Sequence, residues 1–319
     1  MHPLDLLAAV ALDAVLGDPE WFPHPVRYVG RLIHNLETVT RRCWRNERIA
    51  GTVTILVTIL ITAGVVWGSL AIARMAGSWV ERIVTVAWVY LGISARCLSD
   101  EARRVDRDLR RNDLPAARQS VARIVGRDTQ SLDASGVSRA AIESVAENTV
   151  DGILTPLFFA ALTGPIGLWI FKAVSTGDSM IGHMNERYRR FGTVAARLDD
   201  AANFIPARLA PLLFALAALL TGNRAVSAWH VAWRDRHHHD SPNAGIPEAA
   251  MAGALGVRLG GPVTYAGEPI EHVPFGAEYP PPEPRQLRSA RVMLWGVTIL
   301  GTALAAGTAV LMILARTYV

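Results

Sequence analysis

Residues 143–172 read ESVAENTVDGILTPLFFAALTGPIGLWIFK, an acidic segment followed directly by a long apolar one. Glu143, Glu147 and Asp151 are spaced four apart, which places three carboxylates on one face of a helix, with Asn148 beside them. Like charges stacked in this way disfavour a helix by about 0.2–0.5 kcal/mol per pair. The spacing therefore predicts a compensating metal ion or arginine cluster, or else a solvated face balanced by nearby Arg139.

The apolar part of this stretch, residues 152–171, is about as long as a helix that crosses a bilayer. Gly164 and Pro165 interrupt it, so we expect a broken or re-entrant segment. Other apolar runs predict further spans, of which 209–220 is short enough to be partial. These runs cover residues 4–17, 49–73, 83–95, 209–220 and 292–315.

The composition places the chain among membrane proteins with polar loops. Of 319 residues, 51% are hydrophobic and 19% are charged, and the mean hydropathy is +0.24. This is too apolar for an average soluble domain and too charged for a bundle of spanning helices alone. We predict an all-α polytopic integral membrane protein with about four to five transmembrane helices, forming a single membrane-embedded domain over residues 1–319.

Arginine sets the expected orientation of the chain in the lipid bilayer. Arginines are abundant in 18–50 and 96–140, which predicts that both regions lie on the cytoplasmic side of the plasma (inner) membrane. We expect the polar motifs to meet at one cytoplasmic-facing cavity, with irregular backbone tolerated where it lines that cavity. The arginines alternate with acids and lack aromatic platforms, so no nucleic-acid partner is expected despite a net charge of +4.

The first polar motif is GDPEWFPHPVRYVG, residues 17–30, which we interpret as a proline-stiffened loop before a basic amphipathic helix over 31–48. Asp18 has the chemistry to bind a cation, and Arg27 to bind a carboxylate or phosphate. His24 is a candidate proton carrier because its ordinary pKa lies near neutrality. A simple membrane-interface turn is the alternative interpretation.

Two further motifs flank the central stretch. Arg127, Asp128 and Thr129 are predicted to end a helix and supply a cation, an acid and a hydroxyl. After Lys172, the sequence STGDS (175–179) predicts a turn that opens a helix and presents backbone N–H groups to an anion, or an ordinary helix cap. This run includes the candidates Asp178 and Ser179.

The last polar motifs lie in the C-terminal half. Asp199 and Asp200 are predicted either to complement a helix dipole or to hold Mg²⁺, which takes one or two carboxylates together with phosphate oxygens. Arg208 follows them at the edge of an apolar run, where a membrane anchor is the alternative to a binding role. The histidines at 237–239 are interpreted as an exposed polar patch. The turn DSPNAG (240–245), before a helix of small residues, is expected to hold Ser241 and Asn243 rigidly.

Taken together, these motifs resemble the adenosylcobinamide-phosphate synthase family of cobalamin biosynthesis (the CobD/CbiB membrane family). The matching segments follow the family's order over most of residues 13–265. They are GDPEWFPHPVR, RDT, ESVAENTVDGILTPLFF, K…DSMIG, RLDDAANFIPARL and SPNAGIPEAAMAGALGVRLGG. The chain departs from the family at Ser175 and Gly177, within a run that usually reads Asn-Thr-Leu-Asp-Ser-Met, and at His183, where tyrosine is common.

The resemblance implies an ATP- and Mg²⁺-dependent ligase that forms an amide. Its substrates would be the corrinoid adenosylcobyric acid and (R)-1-amino-2-propanol or its O-phosphate. Carried onto these positions, the resemblance and the residue chemistry give three groups of candidates. The catalytic candidates are Glu143, Glu147, Asp151, His24 and Asp178. The substrate-binding candidates are Arg27, Arg127, Thr129, Asn148, Lys172, Ser179, Arg208, Ser241 and Asn243. The metal candidates are Asp18, Glu147, Asp151, Asp199 and Asp200.

Two other classes of protein share parts of this pattern. A membrane transporter also carries acids within the membrane and broken helices, although its polar residues belong in mid-span rather than at span ends. A membrane signalling or scaffold protein would not need so many short polar turns. Whether the chain forms a homo-oligomer is left open by the sequence.

Overall fold

A computed structural model describes residues 1–19, 21, 23–183, 185–265 and 267–317, and most of the described chain is helical. The described residues form twelve α-helices and one antiparallel pair of short strands. The helices are α1 (Pro3–Leu16), α2 (Pro25–Cys43), α3 (Glu47–Ala76), α4 (Ser78–Tyr90), α5 (Ala95–Arg110), α6 (Leu114–Val121), α7 (Ala134–Thr149), α8 (Thr155–Ile181), α9 (Thr193–Leu220), α10 (Ala225–Asp235), α11 (Gly245–Leu255) and α12 (Arg285–Thr317). A π-helical segment, Val150–Leu154, joins α7 to α8, a 3₁₀ turn spans Arg236–His238, and the strands are β1 (Val263–Tyr265) and β2 (Glu268–Ile270).

Within the described part of the chain, five helical stretches are long and apolar enough to cross a membrane. This confirms the predicted all-α polytopic membrane fold. The stretches are Glu47–Ala76, Ser78–Arg110, Ala134–Ile181, Thr193–Leu220 and Arg285–Ala315. The N-terminal helix α1 is not among them, and the stretch that contains 209–220 is longer than its apolar run because its helix begins at the polar residue Thr193.

The helix that follows the first polar motif begins earlier than predicted. Pro25 is the first residue of α2, where a proline is favoured because its missing N–H would be unpaired anyway. The ring of His24 caps this helix, since its Nδ1 accepts a hydrogen bond from the Val26 N–H at 3.3 Å. Arg27 therefore lies in the first helical turn rather than in a loop, and the helix ends at Cys43 instead of 48.

The predicted break in the central apolar run is present. Gly164 has φ 70° and ψ −161°, and Pro165 follows it within α8. Glycine tolerates this backbone conformation because it has no Cβ, and the proline lacks the N–H that would continue the helical ladder.

Contacts along the chain group into two compact units. Unit 1 comprises residues 1–94, 155–203 and 302–319, and unit 2 comprises residues 95–154 and 204–301. The single membrane-embedded domain remains a prediction, because this grouping does not test whether the units fold independently.

In unit 1, α3 packs against α2, α4 and α8, and α1 packs against α4. Two tryptophans link α3, α4 and α8. The Trp88 indole N–H on α4 donates to Ser69 Oγ on α3 at 2.7 Å, and the Trp169 indole N–H on α8 donates to the Trp88 carbonyl at 2.8 Å. The buried carboxylate of Asp5 pairs with Arg82 at 2.8 Å. These bonds satisfy polar groups that would be costly to leave unpaired inside an apolar bundle.

We expect Gly51→Ala to destabilise unit 1. A Cβ at Gly51 would lie 1.7 Å from the backbone carbonyl oxygen of Phe191, so the backbone must shift to admit it. Overpacking of this kind costs about 1–3 kcal/mol, which thermal unfolding of the purified protein would register as a lower midpoint. Gly64→Ala in the same helix is the matched control, because no atom lies within 4 Å of a Cβ there. If the two variants unfold at the same temperature, the close contact does not limit stability.

In unit 2, α10 packs closely against α11, and α5 packs against α6 and α7. Gly253 permits the first contact, since a Cβ there would lie 2.3 Å from the Ser227 carbonyl oxygen. Arg139 ties α7 to the chain before β1 by donating to the carbonyls of Gly260 at 2.6 Å and Pro262 at 3.0 Å. These contacts bring α7, α11 and the segment around Gly260 to one place.

Candidate functional site

Unit 2 contains a polar cavity of about 260 Å³. Its walls come from the segment before α7, one face of α7, the start of α11 and the chain on either side of the β1–β2 hairpin. The titratable side chains that line it are Arg127, Glu143, Glu147, His238, His239, Glu248, Tyr265 and His272.

Glu143 is held firmly in the cavity wall. It is 2% exposed, one carboxylate oxygen lies 2.6 Å from Arg127 Nη1, and the other accepts the Gly260 N–H at 2.5 Å. For Arg127, burial alone lowers the pKa, but the carboxylate of Glu143 outweighs it and the pKa is raised, so the guanidinium stays charged. Arg127 thus supplies the positive charge that was predicted to compensate the acidic face of α7. Arg139 instead donates hydrogen bonds to backbone carbonyls.

Glu147 lies one turn further along α7 and also lines the cavity. Asn148 is fixed beside it, since its side-chain amide donates to the Ser144 carbonyl at 2.9 Å. Asp151 does not line this cavity. It lies in the π-helical segment, whose wider turn ends the four-residue alignment, so the predicted row of three carboxylates contains only Glu143 and Glu147.

Five of these cavity side chains were not among the sequence candidates: His238, His239, Glu248, Tyr265 and His272. Glu248 in the first turn of α11 is 5% exposed, and its carboxylate lies 3.9 Å from His239 Nε2. His239 Nδ1 accepts the Ser241 N–H at 2.9 Å, and burial lowers its pKa, so the ring is neutral and carries its proton on Nε2. The interpretation of the histidine run as an exposed patch is therefore wrong for His238 and His239, and holds for His237, which is exposed.

We expect Glu248 to make the protein less stable as the pH rises. Burial, and then the charges of Glu143 and Glu147, raise the pKa of Glu248 well above its usual value, while Arg127 opposes the shift. In the unfolded chain this carboxyl ionises near pH ~4.3, so between that pH and the raised pKa only the folded state keeps the proton. Stability then falls with rising pH, by up to about 1.4 kcal/mol per pH unit.

Thermal unfolding at pH 5 and pH 7 checks this sign. Glu248→Gln does not titrate, so its unfolding midpoint should fall less between the two pH values than that of the native protein. Glu283→Gln, whose carboxylate is exposed, should keep the native fall. An equal fall in Glu248→Gln and native protein would contradict the assignment.

The RDT motif lies in the loop between α6 and α7 rather than at a helix end, because α6 already ends at Val121. Asp128 fastens this loop to the strand pair: its N–H donates to the Thr264 carbonyl at 2.8 Å, and its carboxylate accepts the Gly267 N–H at 2.7 Å. Thr129 is buried. The motif thus positions Arg127 in the cavity wall.

The DSPNAG turn lies between the 3₁₀ turn that follows α10 and the start of α11. Asn243 is buried and its side-chain oxygen accepts a hydrogen bond from Arg208 at 3.2 Å. Ser241 Oγ accepts the N–H groups of Asn243 and Ala244, each at 3.3 Å. Arg208 also stacks on Phe204, with its guanidinium carbon 3.4 Å from the ring centre. These hydrogen bonds hold the turn in place, as predicted, and its role in binding remains a prediction.

Unit 1 contains a second group of candidates around Asp18. His24 Nε2 lies 3.7 Å from the Asp18 carboxylate. Burial, and then the positive charge of Lys172, lower the pKa of His24 to about 4, while burial raises the pKa of Asp18 against the same lysine. The histidine is therefore neutral at pH 7, and its low pKa makes it a weaker base than an ordinary histidine. Arg27 is exposed.

The STGDS run does not open a helix. It lies in the last turns of α8, where Thr176 Oγ1 donates back to the Lys172 carbonyl at 2.6 Å, so its backbone N–H groups are used within the helix. Ser179 is exposed and Asp178 is half-buried. Both the predicted anion-binding turn and the predicted helix-start cap are wrong, because the helix passes through this run.

The adjacent acids on α9 have different surroundings. The Asp199 carboxylate accepts a hydrogen bond from the Asn203 amide at 2.9 Å, and Asn203 in turn accepts the Thr155 hydroxyl at 2.6 Å. Asp200 is close enough to Asp178 for their charges to interact. Among the described residues, no group of three or more His, Cys, Asp or Glu has a metal-binding arrangement. A pair of carboxylates still suits Mg²⁺, which completes its coordination with water and phosphate.

The fold and the sites define an all-α polytopic membrane protein with a polar cavity lined by several titratable side chains. The chain belongs to the CobD/Cbib protein family, whose model matches residues 6–316. This confirms the resemblance seen in the motifs.

Several curated relatives are similar over most of their length. "Cobalamin biosynthesis protein CobD" of Klebsiella pneumoniae is 48% identical over 82% of each chain. The protein of the same name from Geobacter metallireducens is 45% identical over 94% of this chain and 95% of its own. "Cobalamin biosynthesis protein CbiB" of Salmonella typhimurium is 45% identical over 82% of this chain and 83% of its own. No solved structure matches the chain significantly.

Proposed function

We propose that the protein is an enzyme of cobalamin biosynthesis, an ATP-dependent ligase that joins adenosylcobyric acid to (R)-1-amino-2-propanol or its O-phosphate. Family membership and the names of the relatives support the pathway. The observation that carries the chemistry is the polar cavity in which Glu147 and Glu248 accompany the Arg127–Glu143 pair. Such a cavity suits a small cationic substrate, and an amine is one.

The reaction needs activation of a carboxylate, which is a poor electrophile. A corrinoid carboxylate oxygen attacks the γ-phosphorus of ATP, the bond to ADP breaks, and an acyl phosphate forms. The amine nitrogen then attacks the acyl carbon, and the carbon–oxygen bond to phosphate breaks. The amine must lose one proton before the attack and a second as the amide forms, so a base is required. We assign to the Glu147 carboxylate the role of the base that accepts the first proton from the amine.

Other residues have supporting roles in this proposal. Mg²⁺ supplied with ATP would offset the charge that develops on the phosphates, and Asp178 with Asp200 is the carboxylate pair that would hold it. Lys172, Arg27 and Arg127 would contact phosphate or carboxylate groups. The site would face the cytoplasm from the inner membrane, an orientation supported by the arginine-rich regions 18–50 and 96–140.

The test uses purified, detergent-solubilised protein with adenosylcobyric acid, aminopropanol phosphate, Mg²⁺ and ATP. Mass spectrometry should detect the amide product only when ATP is present. Corrinoid binding without product in the presence of every substrate would contradict a ligase and favour a carrier.

A further inference from the structure

Exposed arginines are concentrated at one end of α3 in unit 1. Two segments carry seven arginines, four in residues 41–48 and three in residues 185–190, and each segment has a single glutamate. The first segment contains the turn between α2 and α3, and the second lies between α8 and α9. Five of these side chains, which we call the arginine surface, are exposed and form no ion pair within the described ranges. They are Arg42, Arg45, Arg48, Arg189 and Arg190.

The two segments are fastened to each other by the other two arginines. Arg41 Nη2 donates to the Arg187 carbonyl at 2.9 Å, and Arg41 Nη1 donates to the Glu47 carboxylate at 3.0 Å. Glu37 is 4% exposed and accepts hydrogen bonds from Arg41 Nε and Arg187 Nη2, each at 3.0 Å. These two arginines and two glutamates balance one another, so they leave the charge of the arginine surface unchanged.

A groove of about 360 Å³ lies between the two segments. Its lining residues are Glu47, Glu186, Arg189 and Arg190. Because Glu47 is already paired with Arg41, Glu186 is the remaining acid of the two segments, against the five guanidiniums of the arginine surface. The region therefore favours an anion.

The arginine surface is located where α3 enters its apolar part. This helix, Glu47–Ala76, is long and apolar enough to cross a membrane, and residues 49–73 carry no charged side chain. Ile49 and Leu56 are each 47% exposed, so the outer side of the helix becomes apolar directly after the arginines. Trp44 is 39% exposed at the same end, and tryptophan is enriched at membrane–water interfaces. The arginines therefore lie at the level of the lipid headgroups.

The chemistry of guanidinium groups indicates which headgroup fits. A guanidinium binds phosphate oxygens through two parallel hydrogen bonds, and clusters of four to eight basic residues beside a spanning helix attract anionic lipids. Each arginine near such a lipid contributes about fivefold in affinity. A zwitterionic headgroup also has a phosphate, but its ammonium group brings a positive charge towards the arginines.

We propose that the arginine surface of unit 1 binds the phosphate of an anionic phospholipid. The phosphate lies between the α2–α3 turn and the α8–α9 connection, and the acyl chains lie against the apolar outer side of α3 that begins at Ile49. The lipid thus bridges two segments that are more than a hundred residues apart in the chain. This lipid site is separate from the proposed reaction and needs neither ATP nor a corrinoid.

Lipid binding to the full-length protein in an uncharged detergent tests this site. Native mass spectrometry would titrate phosphatidylglycerol and phosphatidylcholine with identical acyl chains. We expect phosphatidylglycerol to bind about tenfold more tightly or better, and to raise the thermal unfolding midpoint because it binds the folded state. The double variant Arg189→Gln with Arg190→Gln should weaken phosphatidylglycerol binding by about tenfold to thirtyfold and leave phosphatidylcholine binding unchanged.

A second double variant, Arg45→Gln with Arg48→Gln, alters the other segment and should show the same loss, so the test does not depend on one variant folding. The matched control is Arg107→Gln with Arg110→Gln, which removes two exposed arginines that pair with aspartates of their own helix, α5. This control should bind phosphatidylglycerol as the native protein does.

Three results would overturn the lipid site. The first is an equal affinity of the native protein for the two lipids. The second is a phosphatidylglycerol affinity that is unchanged in both double variants or falls equally in the control. The third is displacement of phosphatidylglycerol by inorganic phosphate or ATP at the same concentration as the lipid, which would assign the arginines to a free phosphate.

Discussion

Replacing Glu147 by glutamine should reduce amide formation by at least about a hundredfold, because it removes the group assigned to accept the proton of the amine. Glutamine has nearly the same shape, and Glu147 is only half-buried, so the fold and membrane insertion should be unaffected. Rates measured by mass spectrometry at saturating ATP and corrinoid would give the loss.

The matched control for Glu147→Gln is Glu283→Gln, which removes an exposed carboxylate near the start of α12 and should keep the native rate. Turnover in Glu147→Gln within threefold of native protein would remove Glu147 from the mechanism. The unfolding temperature of both variants must be compared with that of native protein, since a loss caused by misfolding would appear there.

Glu143→Ala should be the most destabilising single change in unit 2. It leaves the Arg127 guanidinium, 14% exposed, without its partner at 2.6 Å, and it frees the Gly260 N–H. Removing one member of a buried ion pair costs about 3–5 kcal/mol. We expect a large fall in the thermal unfolding midpoint, measured in the same detergent as native protein.

The double variant Arg127→Leu with Glu143→Leu distinguishes the stability lost through an unpaired buried charge from the stability lost through poorer packing. Because neither charge remains, part of the stability lost in Glu143→Ala should return. If the double variant is as unstable as the sum of the two single changes, the ion pair is not the reason for the loss. Loss of activity in the double variant is expected in either case, since Arg127 lines the cavity.

Patterns within the chain were sufficient to predict much of the fold. Hydropathy predicted the spanning helices, and Gly164 followed by Pro165 predicted the break in α8, because both signals are local. The spacing of Glu143 and Glu147 predicted a shared helix face for the same reason. Asp151 was misplaced because a π-helical segment has no clear sequence signature.

The remaining part of the cavity depends on contacts between distant segments. Glu248 is 105 residues from Glu143, and only the packing of α11 near α7 brings both to one cavity. His239 was dismissed because adjacent histidines do not share a helix face, but the chain leaves the helix there and turns this ring inward. A glutamate within an otherwise apolar helix of small residues, GIPEAAMAGAL, was the signal available for Glu248.

The most direct test of carboxylate activation follows oxygen from the corrinoid acid. Adenosylcobyric acid labelled with ¹⁸O in its reacting carboxylate would be incubated with the protein, ATP, Mg²⁺ and the amine, and inorganic phosphate would be analysed by mass spectrometry. The proposal predicts one ¹⁸O in phosphate for each amide formed, because the acyl phosphate transfers that oxygen to its leaving group. Amide formation with unlabelled phosphate, or with ¹⁸O in AMP, would contradict it.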